Sequence, residues 1–131
     1  MSNCPCHSKK KYEDCCKPLH LGAAAADGLA LMRSRFSAYS LGLPDYIIAT
    51  THPKSPFYAS DKTQWKKEIL EFCQATDFDN LTIIEHVSLP GEETVTFRAH
   101  LTEDVHDISF TEKSTFEKDD GRFKYIQGVM L

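Results

Sequence analysis

The sequence contains no apolar run long enough to span a membrane, and no repeat or low-complexity stretch interrupts it. It also lacks the pattern of a secretory signal, since the first apolar run is short and follows a group of cysteines. Basic residues are not in excess: 15 lysines and arginines face 19 aspartates and glutamates, giving a net charge of −4. This charge argues against nucleic acid as the main partner. These absences predict a soluble, cytoplasmic protein without a membrane partner.

The first twenty residues have few aliphatic side chains, but they hold four of the five cysteines of this 131-residue chain. Such a segment cannot order itself around a hydrophobic core. A divalent metal could order it instead, because in small modules the free energy of metal binding is free energy of folding. Four thiolates would form a closed tetrahedral site of the structural type. The sequence thus predicts a structural zinc ion held by Cys4, Cys6, Cys15 and Cys16.

The spacing of the cysteines and the reducing cytoplasm argue against other uses of these side chains. Disulfides are disfavoured in a chain without an export signal, because thiols stay reduced in the cytoplasm. Adjacent cysteines at Cys15 and Cys16 fit the usual spacings of iron–sulfur clusters poorly. A redox pair would not require four cysteines. Spacing alone does not separate zinc from another thiophilic metal.

The segment from Cys4 to Cys16 resembles the SEC-C zinc motif, which was first known from the C-terminus of the preprotein translocase ATPase. That motif reads CxC, eight residues, then CC or CH, with a tyrosine shortly before the second pair, as Tyr12 is here. The motif usually continues Gly-Ser-Gly, whereas this chain has His7-Ser8-Lys9. The ligand set is intact, but the loop loses two residues that reach positive φ freely. His7 is either a solvated loop residue, which we favour, or a competing ligand.

Helical patterns dominate the next part of the chain. Residues 17–22 are expected to be a linker, with Pro18 and Gly22 as breakers. We predict helices over residues 23–40, 44–49 and 62–74. The first helix has an apolar stripe that Arg33 and Arg35 flank, with Ser34 and Ser37 facing away. Cys73, on the third helix, is expected to be a small buried hydrophobic residue.

The period of the pattern then changes to that of β-strands. Residues 81–89, 93–101, 106–116 and 122–130 show alternation or β-type composition, and turn-forming residues separate them. Helices followed by an antiparallel meander indicate an α+β fold. We expect the helices to pack on one face of a curved sheet.

A second resemblance covers nearly the whole chain. The chain is similar to the UPF0225 (YchJ-like) family in four places: Leu31–Tyr39, Asp45-Tyr46, Thr51-His52-Pro53 and the closing Tyr125-Ile126-Gln127-Gly128. This resemblance implies a SEC-C module, here residues 1–21, followed by an NTF2-like domain, here residues 22–131. The NTF2-like fold is a cone that ketosteroid isomerase also uses. Two features depart from the family: there is no second SEC-C motif, and Gln127 replaces an acid.

The third predicted strand places one carboxylate among apolar neighbours. Alternation puts Glu112 on the same face as Ile108, Phe110, Ser114 and Phe116, which should be the face that the helices cover. Burial would raise the pKa of such a glutamate and make it a candidate general acid or base. An ion pair between Glu112 and Arg35 that joins helix to sheet is the plainer interpretation, and the one we favour.

The mouth of such a cone could be lined by His52 and by the aromatic residues Tyr39, Tyr46, Trp65 and Tyr125. His52 lies in a predicted loop, where functional residues concentrate, and is a second candidate acid or base. Aromatic residues at helical spacing are nevertheless more often core than binding site. The outer face of the sheet, with Thr94, Thr96, Arg98 and His100, leaves a homodimer open.

The sequence favours a zinc-binding protein whose N-terminal module docks a protein partner, by analogy with the translocase. The alternative is a small-molecule enzyme or a ligand carrier that uses the cone cavity, with Arg35, Tyr39, Trp65 and Glu112 in the pocket. No catalytic pair stands at a diagnostic spacing, so the sequence leaves open whether the protein is an enzyme. Neither a substrate nor a partner can be named.

Overall fold

The computed structural model describes residues 3–131, so the first two residues of the expected module lie outside the described part. It contains four α-helices: α1 (Lys17–His20), α2 (Gly28–Leu41), α3 (Pro44–Ala49) and α4 (Lys62–Ala75). One antiparallel sheet follows them, with strands β1 (Asp77–Leu89), β2 (Glu92–Glu103), β3 (His106–Asp107), β4 (Phe110–Asp119) and β5 (Arg122–Met130). The α+β architecture expected from the sequence is confirmed.

The N-terminal segment folds back on itself around the cysteines. Asn3 and Lys11 form an isolated antiparallel bridge, and the Cys4 amide donates to the Lys10 carbonyl at 2.8 Å. The loop between them turns through His7 (φ 62°) and Lys9 (φ 72°). These are the two positions at which the SEC-C motif has glycine. Both residues therefore adopt a left-handed backbone conformation that costs free energy for any residue other than glycine.

The expected linker at residues 17–22 is wrong in its first part. Lys17–His20 forms a helical turn, since proline at position 18 suits the first turn of a helix, where its missing N–H is not needed. Gly22, at φ 118°, then reverses the chain toward α2. The turn matters because it places His20 against α2.

Helix α2 begins later than its alanine-rich sequence suggests. Residues 23–26 are not helical, and the helix starts at Gly28 behind the N-cap Asp27, whose carboxylate accepts from the Ala30 amide at 2.8 Å. The Gly28 amide donates to Glu93 Oε1 on the sheet at 2.7 Å. Two carboxylates therefore fix the start of α2, and they outweigh the high helix propensity of the preceding alanines.

The polar back of α2 is also buried. Ser34 and Ser37 do lie on that side of the helix, but neither is exposed to solvent because the N-terminal segment and α3 cover them. The Ser34 hydroxyl donates to the Leu31 carbonyl at 2.7 Å and pairs with the Tyr46 hydroxyl at the same distance. Helix α2 thus packs on both sides.

Helices α3 and α4 agree closely with the predicted bounds. Ile69 of α4 is buried with Ala38 and Ile47, whereas Cys73 is only partly buried at the edge of this cluster. The expectation that Cys73 is buried was therefore too strong. None of the helices among residues 3–131 has both the length and the apolar character needed to cross a membrane.

The sheet has the order β1-β2-β4-β5, and the short β3 pairs with β2 outside this path. The predicted third strand, residues 106–116, is split at Ile108 and Ser109. The Leu101 amide donates to the Ser109 hydroxyl at 3.0 Å, and this bond replaces ladder pairing at that point. From Phe110 onward, β4 pairs in register with β2, which places Glu112 opposite Phe97.

The main core lies between α2 and the inner face of the sheet. Alternate residues of β2 are buried there as expected, and His100 points to the other side, where its Nε2 lies 2.9 Å from the Thr82 hydroxyl. The buried members of this core are Leu31, Met32, Phe36, Leu81, Val95, Phe97, Ala99, Leu101 and Phe116. Residues of this core also form the walls of a cavity.

Candidate metal centre and ligand cavity

The four N-terminal cysteines converge on one point. Their Sγ atoms all lie within 4.8 Å of one another, and three of the four side chains are buried. Cys6 Sγ lies 3.6 Å from Cys15 Sγ, and Cys15 Sγ lies 3.9 Å from Cys16 Sγ. A tetrahedral zinc ion with Zn–S bonds of about 2.3 Å requires sulfur–sulfur distances of about 3.8 Å. The donor set therefore fits a tetrahedral metal ion.

The electrostatics of the cluster point the same way. A hydrogen bond from the Cys16 thiol lowers the pKa of Cys6, while the same pairing and burial raise the pKa of Cys16. Burial also raises the pKa of Cys4. Without a cation, the raised pKa values keep Cys4 and Cys16 in the thiol form. A dication removes this conflict, since thiols that coordinate it are deprotonated. The four cysteines could thus hold a metal ion.

The cysteine segment is tied to α2 by a chain of hydrogen bonds. His20 Nε2 donates to the Ser34 carbonyl at 2.8 Å, so its Nδ1 accepts from the Tyr12 hydroxyl at 2.7 Å. Burial lowers the pKa of His20, in keeping with this neutral imidazole. Arg33 Nη1 donates to the Cys6 carbonyl at 3.1 Å. The metal centre and the cone are therefore joined through one helix.

His7 is neither a solvated loop residue nor a competing metal ligand, the two roles expected from the sequence. It is outside the group of four candidate ligands, and it is partly buried. Its Nε2 donates to the Phe78 carbonyl at 3.2 Å, and its ring lies edge-on to Phe36 with centroids 5.9 Å apart. Where the motif usually has glycine, this chain thus has a side chain that contacts the cone.

A cavity of about 540 Å³ lies inside the cone, between α2, α4 and the inner face of the sheet. Most of its wall is aliphatic or aromatic, with a few polar groups from the helices and from β4. The side chains that matter below are Arg35, Tyr39, Trp65, Glu112, Ser114 and Tyr125, together with Phe36, Phe72, Phe78 and Phe97. The four pocket residues named from the sequence therefore line one cavity.

Glu112 lies on the cavity wall in a polar cluster. The Ser114 hydroxyl donates to Glu112 Oε2, and the Tyr125 hydroxyl is close to the same carboxylate. Gly128 of β5 lies under this group: a Cβ there would come within 2.9 Å of the Tyr125 hydroxyl and still closer to the carboxylate. The absence of a side chain at Gly128 thus makes room for Glu112.

Arg35 lies on the same cavity but makes other contacts than the favoured ion pair. The ion pairs found among residues 3–131 do not include Arg35 with Glu112. Arg35 Nη1 instead donates to the Ile47 carbonyl at 3.1 Å and to the Thr50 hydroxyl at 2.8 Å. Its guanidinium carbon lies 4.7 Å from the centre of the Tyr125 ring. Arg35 therefore hydrogen-bonds to the C-terminal end of α3, and its guanidinium stacks on the Tyr125 ring of β5.

Tyr39 and Tyr125 stay protonated in this environment. Burial raises the pKa of both, and the negative charge of Glu112 raises that of Tyr125 further. At neutral pH both are neutral phenols that can donate a hydrogen bond. The cavity thus combines phenol donors, one guanidinium and the carboxylates of Glu112 and Glu68 in a mostly apolar wall.

The other two residues placed at the mouth lie elsewhere. His52 is 7% exposed, and its amide donates to the Tyr125 carbonyl at 2.8 Å. Its neighbour Thr51 lines the cavity, whereas His52 is not among the lining residues of the described chain. Tyr46 lies on the far side of α2, with its ring 4.7 Å from the ring of His20.

Comparison with known proteins agrees with this architecture. The family model described as "YchJ, middle NTF2-like domain" matches residues 27–128. A UPF0225 protein of Vibrio vulnificus is 37% identical over 131 residues, which cover 98% of this chain and 75% of that protein. The chain belongs to the UPF0225 (YchJ-like) family.

Two solved structures resemble the UPF0225 chain over nearly its full length. The solution structure of a SEC-C motif containing protein from Rhodopseudomonas palustris has a TM-score of 0.84 at 32% identity and covers 99% of both chains. The crystal structure of a SEC-C motif containing protein from Psychrobacter arcticus has a TM-score of 0.79 at 25% identity, covering 97% of this chain and 81% of that one. The NTF2-like fold and the SEC-C resemblance are confirmed.

Sequence reasoning did not predict the roles of several residues at the cavity and at the cysteine segment. Gly128 closes the Tyr125–Gly128 run, but nothing in that run reveals that its missing side chain faces Glu112. Phe78 and His20 gave no signal, because their roles depend on contacts between distant parts of the chain. Only the alternation of β4 could have placed Ser114 beside Glu112, and it did place both on one face.

Proposed function

We propose that this protein binds a small, largely apolar molecule in the cone, with one polar group of that molecule facing Glu112 and Arg35. The observation that carries this proposal is the cavity of about 540 Å³, which has a largely apolar wall and a polar cluster around Glu112. Ligand sites commonly have volumes of about 300–1,000 Å³, an apolar lining and a few fixed polar groups.

The polar cluster indicates the chemistry of that group. Glu112 accepts hydrogen bonds, and all the bonds that described residues make with Arg35 go through its Nη1. The remaining guanidinium donors and the Tyr39 hydroxyl can meet an oxygen of a ligand. A hydroxyl or carbonyl group on an aromatic or alicyclic body suits this combination of donors and acceptor.

Binding is better supported than turnover. Glu112 is the carboxylate that contacts Ser114 and Tyr125, and it remains the candidate acid or base for an enzyme version of this proposal. His52, the second candidate, does not line the cavity. Arg35, Tyr39 and Trp65 are proposed as binding residues, with Arg35 also positioning the loop after α3.

A native mass spectrum of protein purified without chelator, followed by organic extraction, tests this proposal. We expect a co-purified molecule that is retained by Glu117→Gln and lost from Glu112→Gln at unchanged thermal stability. Glu117 is the matched control, because it lies on the same strand but outside the cavity lining. Retention of the molecule by Glu112→Gln would contradict the role of Glu112. A ligand that binds too weakly to co-purify should be detected as a rise in melting temperature when aromatic alcohols and ketones are added.

We further propose that the metal ion is zinc and that its role is structural, with residues 1–21 forming the metal-held module and residues 22–131 the cone. The closed set of four sulfurs supports this, because it leaves no open position for a substrate. Metal analysis should find one zinc ion per chain, lost on Cys4→Ser. A site filled by another metal in cells would contradict the choice of zinc.

A second candidate function is docking of an acidic protein partner by the metal-held module. Its support is the exposed basic surface formed by Lys9, Lys10, Lys11 and Lys17. A partner cross-linked to the wild-type protein should be lost from a variant with Lys9, Lys10 and Lys11 changed to glutamate. The same changes at Lys67, Lys113 and Lys118, exposed residues elsewhere, are the control. Equal loss from both variants would contradict docking at the module.

A homodimer through the outer face of the sheet also stays a proposal. Arg98 and His100 are partly exposed there, and Ile84 and Val129 are exposed apolar side chains. Light scattering after gel filtration would detect the dimer, and Arg98→Glu should dissociate it. A monomer at high protein concentration would contradict it.

A further inference from the structure

The four cysteines of the metal centre are not equally accessible. Cys4 is 2% exposed, Cys6 0% and Cys16 1%, whereas Cys15 is only partly buried. We propose that Cys15 is a modification site, the ligand at which thiol-directed oxidants and electrophiles enter the centre, and that oxidation joins it to Cys6 in a disulfide. The inference rests on the metal centre proposed above and concerns its reactivity.

A second cavity supports this difference in access. It measures about 400 Å³ and lies between the cysteine loop and the N-terminal half of α2. Its wall includes Ser8, Lys10, Cys15, Cys16 and Arg33. A molecule of the size of peroxide or a small alkylating agent can thus approach Cys15 from a preformed space. Cys4 and Cys6 are not part of that wall, and Cys16 is part of it but is only 1% exposed.

The cavity beside Cys15 is lined by charged groups of both signs: Lys10 and Arg33, and also Asp14 and Asp27. The reactivity proposed for Cys15 therefore follows from the accessibility of its sulfur, because an oxidant reacts only with a thiolate that it can reach. The Ser8 hydroxyl lies 3.2 Å from Cys15 Sγ and can donate to the thiolate. That bond withdraws electron density from the sulfur, so it moderates the reaction.

With hydrogen peroxide as the oxidant, the first step forms a bond between Cys15 sulfur and oxygen and breaks the O–O bond. The departing hydroxide takes up a proton and becomes water, which leaves a sulfenic acid on Cys15. In the second step, the Cys6 thiolate attacks Cys15 sulfur: the S–S bond forms, the S–O bond breaks, and the hydroxide is again protonated to water. Two electrons pass from the two sulfurs to one peroxide.

Cys6 is the resolving partner on geometric grounds. Its Sγ lies 3.6 Å from Cys15 Sγ, closer than the 3.9 Å from Cys15 to Cys16. Neighbouring residues also have Cα atoms only about 3.8 Å apart, whereas disulfides span about 4.4–6.8 Å. After this reaction only Cys4 and Cys16 remain as ligands, and two thiolates hold a dication far more weakly than four.

The test uses the full-length protein with its metal content measured beforehand. Substoichiometric N-ethylmaleimide, quenched and mapped by peptide mass spectrometry, should label Cys15 at least about tenfold faster than Cys4, Cys6 or Cys16. Hydrogen peroxide should release the metal to a chromogenic chelator and lower the intact mass by two hydrogens. The resulting disulfide should join Cys6 to Cys15.

Two variants that keep all four ligands complete the test. Cys73→Ser removes the remaining cysteine and should release metal at the wild-type rate. Ser8→Ala removes the hydrogen bond to Cys15 and should release it several-fold faster. Equal labelling of the four cysteines, or a disulfide between another pair, would overturn the proposal. A protein that contains no metal would contradict the zinc centre itself, while the order of labelling would still decide the accessibility of Cys15.

Discussion

Opposite faces of α2 contact two regions that are stabilised in different ways. The N-terminal segment has a small cluster of Cys4, Cys6 and Cys16 with Tyr12 at its edge, and it contains almost no other apolar side chain to bury. The cone has a core of nine buried hydrophobic residues. The cysteine segment could be held by a metal ion at its four sulfurs, whereas the cone is stabilised by the burial of apolar side chains. This difference should make the stabilities of the two regions separable.

Helix α2 nevertheless serves both regions. Its Ser34 and Arg33 bind the cysteine segment, while Met32 and Phe36 pack on the sheet and line the cavity. A loss of stability in one region can therefore reach the other region only as far as α2 couples them.

Removal of the metal by a strong chelator should unfold the cysteine segment and leave the sheet folded. Structural zinc in small modules contributes about 10–16 kcal/mol of apparent binding free energy, far more than the few contacts of this segment can replace. Hydrogen exchange should show loss of protection at residues 3–20, with β2 and β4 still protected. Simultaneous exchange of the sheet would mean that the two regions form one cooperative unit.

Truncation of the largest buried side chain of the core should destabilise the cone and leave the cysteine segment able to hold its metal ion. Phe116 is 1% exposed, and Phe116→Ala should lower the free energy of unfolding by about 3–5 kcal/mol. Urea denaturation followed by tryptophan fluorescence measures this loss. Phe57→Ala, at a residue that is 61% exposed, is the control and should change stability little. Release of the metal at the same urea concentration would contradict separable stabilities.

The start of α2 should respond to acid through Glu93. Burial acts to raise the pKa of this carboxyl, but hydrogen bonds from His86, the Gly28 amide and Ser88 outweigh it and lower the pKa below its usual range. A lowered folded-state pKa gives stability that is present above the unfolded value and is lost as the pH falls through the folded value. Glu93→Gln should thus cost about 1–3 kcal/mol at pH 7 and less at pH 3.

Urea unfolding at the two pH values, with Glu85→Gln as an exposed control on β1, measures this difference. A cost for Glu93→Gln that does not change with pH would show that the carboxylate charge has no part in holding α2.

The smallest effects are expected at the contact between the regions. His7→Ala loses the contacts with Phe36 and Phe78 but keeps a positive φ, so it should cost about 1 kcal/mol. His7→Gly loses the same contacts and relieves the backbone, so it should be nearly neutral. Lys9→Gly, at an exposed position with φ 72°, should stabilise the protein slightly. Thermal melts of the three variants would test this order, and a cost for Lys9→Gly would contradict it.

Much of this arrangement could be predicted because two patterns depend on local geometry. The spacing of the cysteines predicted their convergence, since a metal's ligand set is encoded in four residue identities. Strict alternation on β4 placed Glu112, Ser114 and Phe116 on one face. The family resemblance added the cone.

The rest depended on contacts between distant residues. The alanine run at residues 23–26 has high helix propensity, but the carboxylates of Asp27 and Glu93 decide where α2 begins. The serines of α2 looked solvent-facing because the sequence does not show that the cysteine segment covers them. Arg35 was paired with Glu112 on charge alone, whereas the carbonyl of Ile47 and the ring of Tyr125 hold it.

The short parallel bridge between Thr51 and Tyr125 has a consequence for synthesis on the ribosome. The four cysteines precede the cone in the sequence, so during synthesis they emerge before its strands do. Arg35 must wait for Tyr125, which follows it by 90 residues, because contacts between residues far apart in sequence form late. A nascent chain therefore presents its four cysteines, which could hold a metal ion, while the cone is still open and its apolar wall is exposed.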